Sequence, residues 1–296
     1  MSKLTKVAIV GGTHGNEFSG IYLLNKWQQQ PQLVARPSLE VSTVFANPKA
    51  HAENQRYIDV DLNRQFACKD LADFQLSNYE QSRAKVLHQQ LGPKSAPKTD
   101  LVIDLHNTTS NMGPCLILLE QNAFYNHLAA YVKMKMPEAV IFLDEVEEDM
   151  AEHMFLASCG KYGVLIEVGP QPQSVLRQDV LEQMESMTGH ILDFVELYNQ
   201  QCLPVLPQQV EAFQYLDTIS LPLNEQGERV AMVHSHVQDQ DFKPIKPGDP
   251  IFRSFDGEDI FYQGDTMVYP AFINEAAYYD NNLAMSLLEK VFIELS

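Results

Sequence analysis

The chain has 296 residues, of which 45% are hydrophobic and 20% are charged, a composition that is ordinary for a globular protein with a buried core. Its formal net charge of -18 argues against a nucleic-acid partner, because phosphate backbones are bound through an excess of Lys and Arg. Four widely spread cysteines without CxxC spacing argue against a disulfide framework and favour a reducing compartment. Since no apolar run reaches 18 residues and no secretory pattern is present, we expect a cytoplasmic protein that does not enter membranes.

Strand and helix patterns alternate over the first two-thirds of the chain. Short apolar runs predict strands at 6–10, 41–46, 101–106, 115–120, 140–143 and 164–168, and helical patterns lie at 17–30, 79–91, after 120 to about 135, and 174–198. Near-continuous apolar strands alternating with helices predict an α/β fold with a mostly parallel sheet covered on both faces. In such sheets, ligands bind at the carboxyl ends of the strands.

The sequence pattern changes near residue 203. Two prolines in 203–207 precede short β-like runs, which turn signals such as Pro247-Gly248-Asp249 separate from one another. We therefore predict a first domain over 1–202 and a smaller all-β domain over 203–296, with a closing helix near 281–295.

The first candidate site residues follow the first predicted strand, in the segment GGTHGNE (11–17). A phosphate-binding loop does not fit, because no Lys-Ser or Lys-Thr follows and GxGxxG is absent. His14 and Glu17 lie three positions apart, and the glycines allow a sharp turn that directs both side chains to one point. The alternative is a surface turn in which Glu17 merely favours the start of a helix.

A second candidate, His106, ends a predicted strand in the segment DLHNTTSN (104–111), at the same sheet edge as His14 if the strands are parallel. Two histidines and one glutamate make a three-ligand zinc set with one position open for water. HExxH is absent, so a thermolysin-type site is not expected. Asp104 lies on the same strand face as His106, where it could orient that ligand. An ordinary hydrogen-bonded histidine at a strand end is the alternative.

Glu167 is a carboxylate within the apolar run 164–168, where burial costs free energy unless the group has a partner or a task. Beside a zinc ion it would be a general base that takes a proton from water. The alternative is a glutamate that pairs with an arginine at the edge of the sheet.

The segment RYIDVDLNR (56–64) carries two arginines and lacks helical periodicity, which is typical of an ordered functional loop. One arginine would bind a carboxylate through paired hydrogen bonds, and the other would polarise an amide carbonyl. A solvated loop with internal ion pairs is the alternative.

These segments, together with EVGPQPQ and VYPAFINEAAYY, resemble segments of the aspartoacylase family of zinc carboxypeptidase-like amidohydrolases and follow one another in the same order. The resemblance covers essentially the whole chain. The resemblance implies a carboxypeptidase-like α/β domain and a smaller β-rich domain that narrows the entrance to the active site. It also implies one zinc ion per chain, held by His14, Glu17 and His106.

The resemblance further assigns the residues that act on the substrate. It implies that Glu167 is the general base and contacts the substrate, and that Arg56 polarises the scissile carbonyl. Asn63, Arg64 and Tyr278 match the family residues that hold the carboxylate of the amino-acid half of the substrate.

The implied reaction is hydrolysis of the acyl amide bond of a small N-acyl amino acid, with N-acetyl-aspartate as the family type. Ala157, His153 and Asn282 stand where aspartoacylases have an arginine, a tyrosine and a lysine that serve a second carboxylate. A deacylase of other N-acetyl amino acids, similar to the third type of aminoacylase, is therefore the alternative. A non-catalytic metal-binding protein would be marked by loss of the base or the arginine, and neither is lost. A homo-oligomer is compatible with the sequence.

Overall fold

The computed structural model describes residues 3–144 and 151–295. The strands are β1 (Lys6–Gly11), β2 (Glu40–Phe45), β3 (Leu101–Asn107), β4 (Gly113–Leu118), β5 (Val140–Leu143), β6 (Tyr162–Gly169), β7 (Gln209–Ser220), β8 (Ala231–Val233), β9 (Pro250–Ser254), β10 (Asp259–Phe261), β11 (Tyr269–Ala271) and β12 (Leu283–Glu294). The α-helices are α1 (Phe18–Gln29), α2 (Pro48–Ala52), α3 (Cys68–Ala72), α4 (Tyr79–Leu91), α5 (Ala123–Lys135) and α6 (Gln178–Gln200). No helix within the described ranges is long and apolar enough to cross a membrane.

Nine of the strands form one mixed sheet in the order β11-β12-β7-β5-β4-β6-β3-β1-β2. β2, β1, β3 and β6 run parallel to one another, as do β4, β5 and β7, whereas β4 is antiparallel to β6. The predicted α/β fold is thus confirmed, and its sheet is mixed because β4 runs antiparallel to β6. Because β1, β3 and β6 are parallel, their carboxyl ends meet at one edge of the sheet.

Helices cover both faces of this sheet. On one face, α1, α5 and α6 supply Trp27, Leu128 and Phe194 to a core that also contains side chains of β1, β3 and β6. On the other face, α4 contributes Leu87 to a second core. Phe272, from the C-terminal third of the chain, packs in the same core. All seven residues of β3 are buried, and this two-sided burial explains why the strand begins with three successive apolar residues, Leu101, Val102 and Ile103.

The closing helix predicted near 281–295 is wrong, because this segment forms the strand β12. It pairs antiparallel with β7 from Leu283 opposite Ser220 to Glu294 opposite Gln209 and so extends the large sheet. The sequence LAMSLLEKVFIE contains several helix-favouring residues, but the long ladder offered by β7 outweighs these weak local preferences. A short 3-10 helix, Ala276–Asn281, precedes the strand.

The C-terminal residues divide between two sheets. β7, β11 and β12 belong to the large sheet, whereas β8, β9 and β10 form a separate three-stranded sheet around a small core that contains Ile251 and Phe252. The large sheet therefore runs across residue 203, and the division of the chain at that residue stays a prediction.

Candidate active site

The turn after β1 places His14 and Glu17 at the carboxyl edge of the sheet. Gly12 adopts a φ of +68°, and a Cβ atom there would lie 2.6 Å from the ring of Phe45. At Gly15, a Cβ atom would lie 2.2 Å from backbone atoms of α2. Both positions therefore require glycine, which is how this segment brings a histidine and a carboxylate to one point.

His14, Glu17 and His106 form a buried group whose ligand atoms all lie within 4.8 Å of one another. We call these three residues the metal cluster. The Glu17 carboxylate lies between the two rings: Oε1 is 2.6 Å from His14 Nδ1 and Oε2 is 3.0 Å from His106 Nδ1. The two Nδ1 atoms face each other at 3.2 Å. The three side chains therefore converge on one point.

The opposite nitrogen of each ring contacts a second carboxylate. His106 Nε2 donates to Asp104 at 2.9 Å, the contact expected from their positions on β3, and His14 Nε2 donates to Asp61 at 3.0 Å. With Nε2 as the donor, the neutral form of each ring presents its Nδ1 lone pair to Glu17. Two lone pairs and a carboxylate that converge in this way fit a divalent cation, so this chain has the donor set that a metal site needs.

The charges of the neighbouring groups agree with this interpretation. Burial opposes ionisation of Glu17, but His14 and His106 outweigh it and lower the pKa of Glu17 below its ordinary value. Burial likewise opposes a positive charge on His106, but Asp104 and Glu17 outweigh it and raise the pKa of this imidazole. The cluster as a whole therefore attracts positive charge.

Glu167 lies on β6 directly beside His106 in the parallel register of the two strands. Only 9% of the residue is exposed. Burial, together with repulsion from Glu17, raises the pKa of Glu167 well above its ordinary value. Its position beside the metal cluster and its raised affinity for a proton are what the role of general base, predicted for Glu167 from the sequence, requires.

The segment 56–64, which we call the arginine loop, contacts the metal cluster from one side. Arg56 donates to Glu17 at 3.0 Å and to Asp61 at 3.2 Å. Arg64 lies over the ring of Phe155, with 4.8 Å between the guanidinium carbon and the ring centroid. The two arginines therefore occupy different surroundings, one beside the metal cluster and one beside an aromatic wall.

One cavity of about 320 Å³ joins these groups. It is lined by every residue that the sequence analysis named as a metal ligand, as catalytic or as substrate-binding, namely His14, Glu17, Arg56, Asn63, Arg64, His106, Glu167 and Tyr278. Burial raises the pKa of Tyr278 to about 12 although Arg64 and Arg56 oppose the shift, so this phenol remains a hydrogen-bond donor at neutral pH. The C-terminal residues thus form part of the wall of the site.

Asp61, Glu275 and Asp144 are acidic residues of the site that sequence reasoning missed, and Glu275 and Asp144 line the cavity. Asp61, which orients His14, lies within a segment already noted, but the sequence does not reveal which of its acids meets a ligand. Glu275 lines the cavity and accepts hydrogen bonds from the backbone N–H groups of Thr109 and Ser110, at 2.8 and 3.2 Å. It also accepts from Ala277 N at 3.0 Å, and so connects the Tyr278 segment to the loop after β3.

The positions that depart from the aspartoacylase pattern lie in three different settings. His153 lines the cavity, whereas Ala157 is fully buried in a 3-10 helix beside it. The Asn282 side chain accepts a hydrogen bond from Arg229 Nε at 2.9 Å, and Asn282 does not line the cavity. Burial lowers the pKa of His153 to about 4, assisted by Lys94 and Arg64. His153 is therefore uncharged at neutral pH.

Comparison with known proteins places this fold and site in a family. The catalytic domain of the succinylglutamate desuccinylase/aspartoacylase family matches residues 3–195, and the barrel-sandwich hybrid domain of that family matches residues 208–290. The chain belongs to this family. The expected α/β domain and smaller C-terminal β domain are those of its fold.

Two similar proteins of this family carry different names. An N-acyl-aromatic-L-amino acid amidohydrolase (carboxylate-forming) of Rattus norvegicus is 43% identical over 99% of this chain and 92% of its own length. A probable aspartoacylase of Acaryochloris marina is 42% identical over 99% of this chain and 98% of its own length. The crystal structure of murine aminoacylase 3 superposes with a TM-score of 0.94 at 41% identity and covers 100% of this chain and 98% of that one.

Proposed function

We propose that this protein is a zinc-dependent amidohydrolase that removes the acyl group from small N-acyl amino acids. One observation carries the proposal: the buried metal cluster, Glu167, Arg56 and Arg64 line a single cavity. The names of the relatives, an aspartoacylase and an N-acyl-aromatic amino acid amidohydrolase, support the same reaction class. All four cysteines are free thiols, which is compatible with the reducing cytoplasm that we propose as the location.

The metal cluster is suited to zinc because imidazole nitrogens and a carboxylate are its usual ligands in catalytic sites. A zinc ion held by His14, Glu17 and His106 would supply Lewis acidity that makes water more acidic and polarises a carbonyl oxygen. Asp61 and Asp104 would hold the two imidazoles in the tautomer that this binding requires.

Glu167 transfers protons during the reaction, and Arg56 stabilises the charge that develops on the carbonyl oxygen. Glu167 takes the proton from the attacking water and delivers it to the departing amine, the double role of a general base and acid. Arg56 donates to the carbonyl oxygen as negative charge develops on it. Its bonds to Glu17 and Asp61 use two of the five N–H donors of the guanidinium, so further donors remain for this task.

Arg64, Asn63 and Tyr278 bind the α-carboxylate of the substrate. A guanidinium offers two parallel N–H groups to a carboxylate, and the protonated Tyr278 phenol adds a third donor. A single bound carboxylate fixes the amino-acid half of the substrate, so that the scissile amide lies toward the metal cluster.

The rest of the cavity favours a substrate with a neutral, apolar side chain. Arg56 and Arg64 are the only Lys or Arg residues among the described residues that line it, and His153 is uncharged. Much of the remaining wall is apolar or aromatic, formed by Ile117, Phe142, Met154, Phe155, Leu165, Tyr215, Phe272 and Leu283. A second carboxylate, as in N-acetyl-aspartate, would find no further Arg or Lys in this wall and would lie near Glu275 and Asp144.

Release of amino acid from a panel of N-acetyl amino acids tests this function. We expect purified protein with about one zinc ion per chain to hydrolyse N-acetyl-L-phenylalanine and N-acetyl-L-tyrosine faster than N-acetyl-L-aspartate. A His106→Ala variant, which lacks one ligand, is the matched control and should lose both zinc and activity. Faster release from N-acetyl-L-aspartate would instead identify an aspartoacylase, and no release by the zinc-loaded protein would refute the function.

A further inference from the structure

The arginine loop lacks the regular hydrogen-bonded structure that fixes a helix or a strand over most of its length. Apart from the short 3-10 helix Leu62–Arg64, it runs between α2 and α3 without a ladder. Its side chains nevertheless have to meet the metal cluster and the substrate with little positional freedom. Other contacts must therefore hold its backbone.

Glu80, in the first turn of α4, makes those contacts. Its carboxylate accepts hydrogen bonds from three successive backbone N–H groups of the loop, Ile58 at 2.8 Å, Asp59 at 2.9 Å and Val60 at 3.3 Å. A fourth comes from Asn47 Nδ2 at 3.1 Å. Glu80 is fully buried, and each of these four bonds comes from an uncharged N–H group.

A buried carboxylate with neutral donors is coupled to the conformation of those donors. Burial of a charge costs several kcal/mol unless hydrogen bonds replace the lost water. Here the replacement consists mainly of the peptide groups of the loop, so the loop and Glu80 stabilise each other. If the loop moved away, Glu80 would lose most of its partners.

The three peptides held by Glu80 lie between Arg56 and Asp61. These two residues bond to each other and reach Glu17 and His14 respectively. On the other side, the carbonyl oxygen of Arg56 accepts from Gly15 N at 3.0 Å. Glu80 and Gly15 thus hold the loop from two sides, although Glu80 itself does not line the cavity.

We propose that Glu80 is a positioning residue of the active site, which sets the placement of Arg56 and of the carboxylate-binding residues Asn63 and Arg64 through the backbone of the arginine loop. The inference rests on the proposed function. It differs from a purely structural role in one respect: loss of the Glu80 contacts should alter kcat and KM of the folded, metal-loaded protein, and not only its thermal stability.

Glu80→Gln is the appropriate change because it keeps the volume of the side chain. Each carboxylate oxygen of Glu80 accepts two of the four bonds, so either orientation of a glutamine amide places its NH₂ group against two donors. The control is Gln81→Ala on the same helical turn. It removes a bond to the backbone of Asn78 and leaves the arginine loop untouched.

The experiment measures zinc content, melting temperature, kcat and KM for N-acetyl-L-phenylalanine, and hydrogen exchange of the peptide that spans 56–64. For Glu80→Gln we expect faster hydrogen exchange in this peptide while the zinc stays bound. Because kcat should fall and KM should rise, kcat/KM should drop on the order of 10²-fold. Gln81→Ala should stay within about twofold of the wild type in both constants, since its contacts do not reach the loop.

Each possible result decides the question. Wild-type kcat and KM in zinc-loaded Glu80→Gln would overturn the inference, and so would equal losses in Gln81→Ala. If Glu80→Gln does not fold, Glu80→Asp, which keeps the charge but withdraws both oxygens, is judged by the same criteria. A wild-type protein that hydrolyses no N-acetyl amino acid refutes the proposed function and this inference with it, whereas an active wild type with an equally active variant refutes the inference alone.

Discussion

The metal cluster and the residues assigned to the substrate lie in one cavity but on different kinds of structure. His14, Glu17 and His106 are attached to β1, α1 and β3, elements that belong to or pack on the large sheet. The arginine loop and Tyr278 lie on segments outside that sheet. The proposed metal ligands thus lie on or directly beside elements of the sheet, whereas the residues proposed to bind the substrate carboxylate lie on segments outside it.

In these other segments, buried carboxylates accept the backbone hydrogen bonds that a neighbouring strand would accept in a sheet. Glu80 accepts backbone N–H groups of the arginine loop, and Glu275 accepts those of Thr109 and Ser110 while it also bonds to Ala277 beside Tyr278. Each joins two segments that are distant in the sequence. We therefore expect changes on the strands to affect the metal or the turnover, and changes on the loops to affect substrate binding, together with turnover where they displace Arg56.

The largest effect is expected for Glu167→Gln, which removes the proposed general base from β6. The rate of turnover should fall by roughly 10²–10⁴-fold because the amide cannot accept a proton. Zinc content should stay at the wild-type value, since the metal cluster is intact. Atomic absorption and steady-state kinetics check this, and loss of the metal would show that Glu167 is a ligand and not the base.

Asp104→Asn sharpens the comparison on the metal side. Asp104 orients His106 through the 2.9 Å bond to Nε2, and removal of such a partner lowers metal affinity by about 10–100-fold. Competition with a chelator measures this. Asp100→Asn, a change of the carboxylate just before β3, is the control, because Asp100 bonds to backbone N–H groups of Thr5 and Lys6 at the other end of the strand. Equal affinities in both variants would contradict the orienting role.

The sequence predicted where the candidate residues on and beside the strands would meet. The apolar runs that became β1, β3 and β6 are buried on both faces, so their composition alone revealed them, and parallel strands bring their ends together by necessity. The sequence alone therefore predicts His14, His106 and Glu167 at one edge of the sheet.

The rest depended on contacts that the sequence does not contain. β12 has helix-favouring residues and became a strand only because β7, more than 60 residues earlier in the chain, offered its edge. Glu80 and Glu275 resemble ordinary surface glutamates in the sequence. Their importance comes from the N–H groups that the fold brings to them, which no local pattern of residues indicates.

Arg64→Ala tests the loop side of the comparison. We expect KM for N-acetyl-L-phenylalanine to rise by about 10- to 100-fold, while kcat changes much less. A rise of this size corresponds to the loss of one hydrogen bond to a charged group. The uncharged amide of the same substrate, which lacks the carboxylate, should show no such rise. Arg177→Ala, which removes an exposed guanidinium paired with Asp179, is the control. An unchanged KM would exclude Arg64 as a carboxylate-binding residue.

Asp241 extends the comparison to a third buried carboxylate, one without a full set of donors. Its Oδ1 accepts from Ile273 N at 3.2 Å, but no described residue donates to Oδ2. Burial raises the pKa of this carboxyl group to about 7 from an ordinary value of 3.8. The folded state therefore holds this proton more tightly than the unfolded state, so the contribution of Asp241 to stability falls as the pH rises from about 4 to about 7.

Asp241→Asn should remove this pH-dependent cost without altering the hydrogen bond to Ile273, because the amide oxygen can still accept it. We expect the variant to melt about 2–4 °C above the wild type at pH 8 and by less at pH 5, which lies only about one pH unit above the ordinary pKa of the unfolded carboxyl group. Asp239→Asn, a change of an exposed neighbour, should show a smaller difference between the two pH values. A melting-temperature difference that is equal at pH 5 and pH 8 would mean that Asp241 is not protonated in the folded state. In that case its second oxygen would have to be stabilised by water, as the full sets of donors stabilise Glu80 and Glu275.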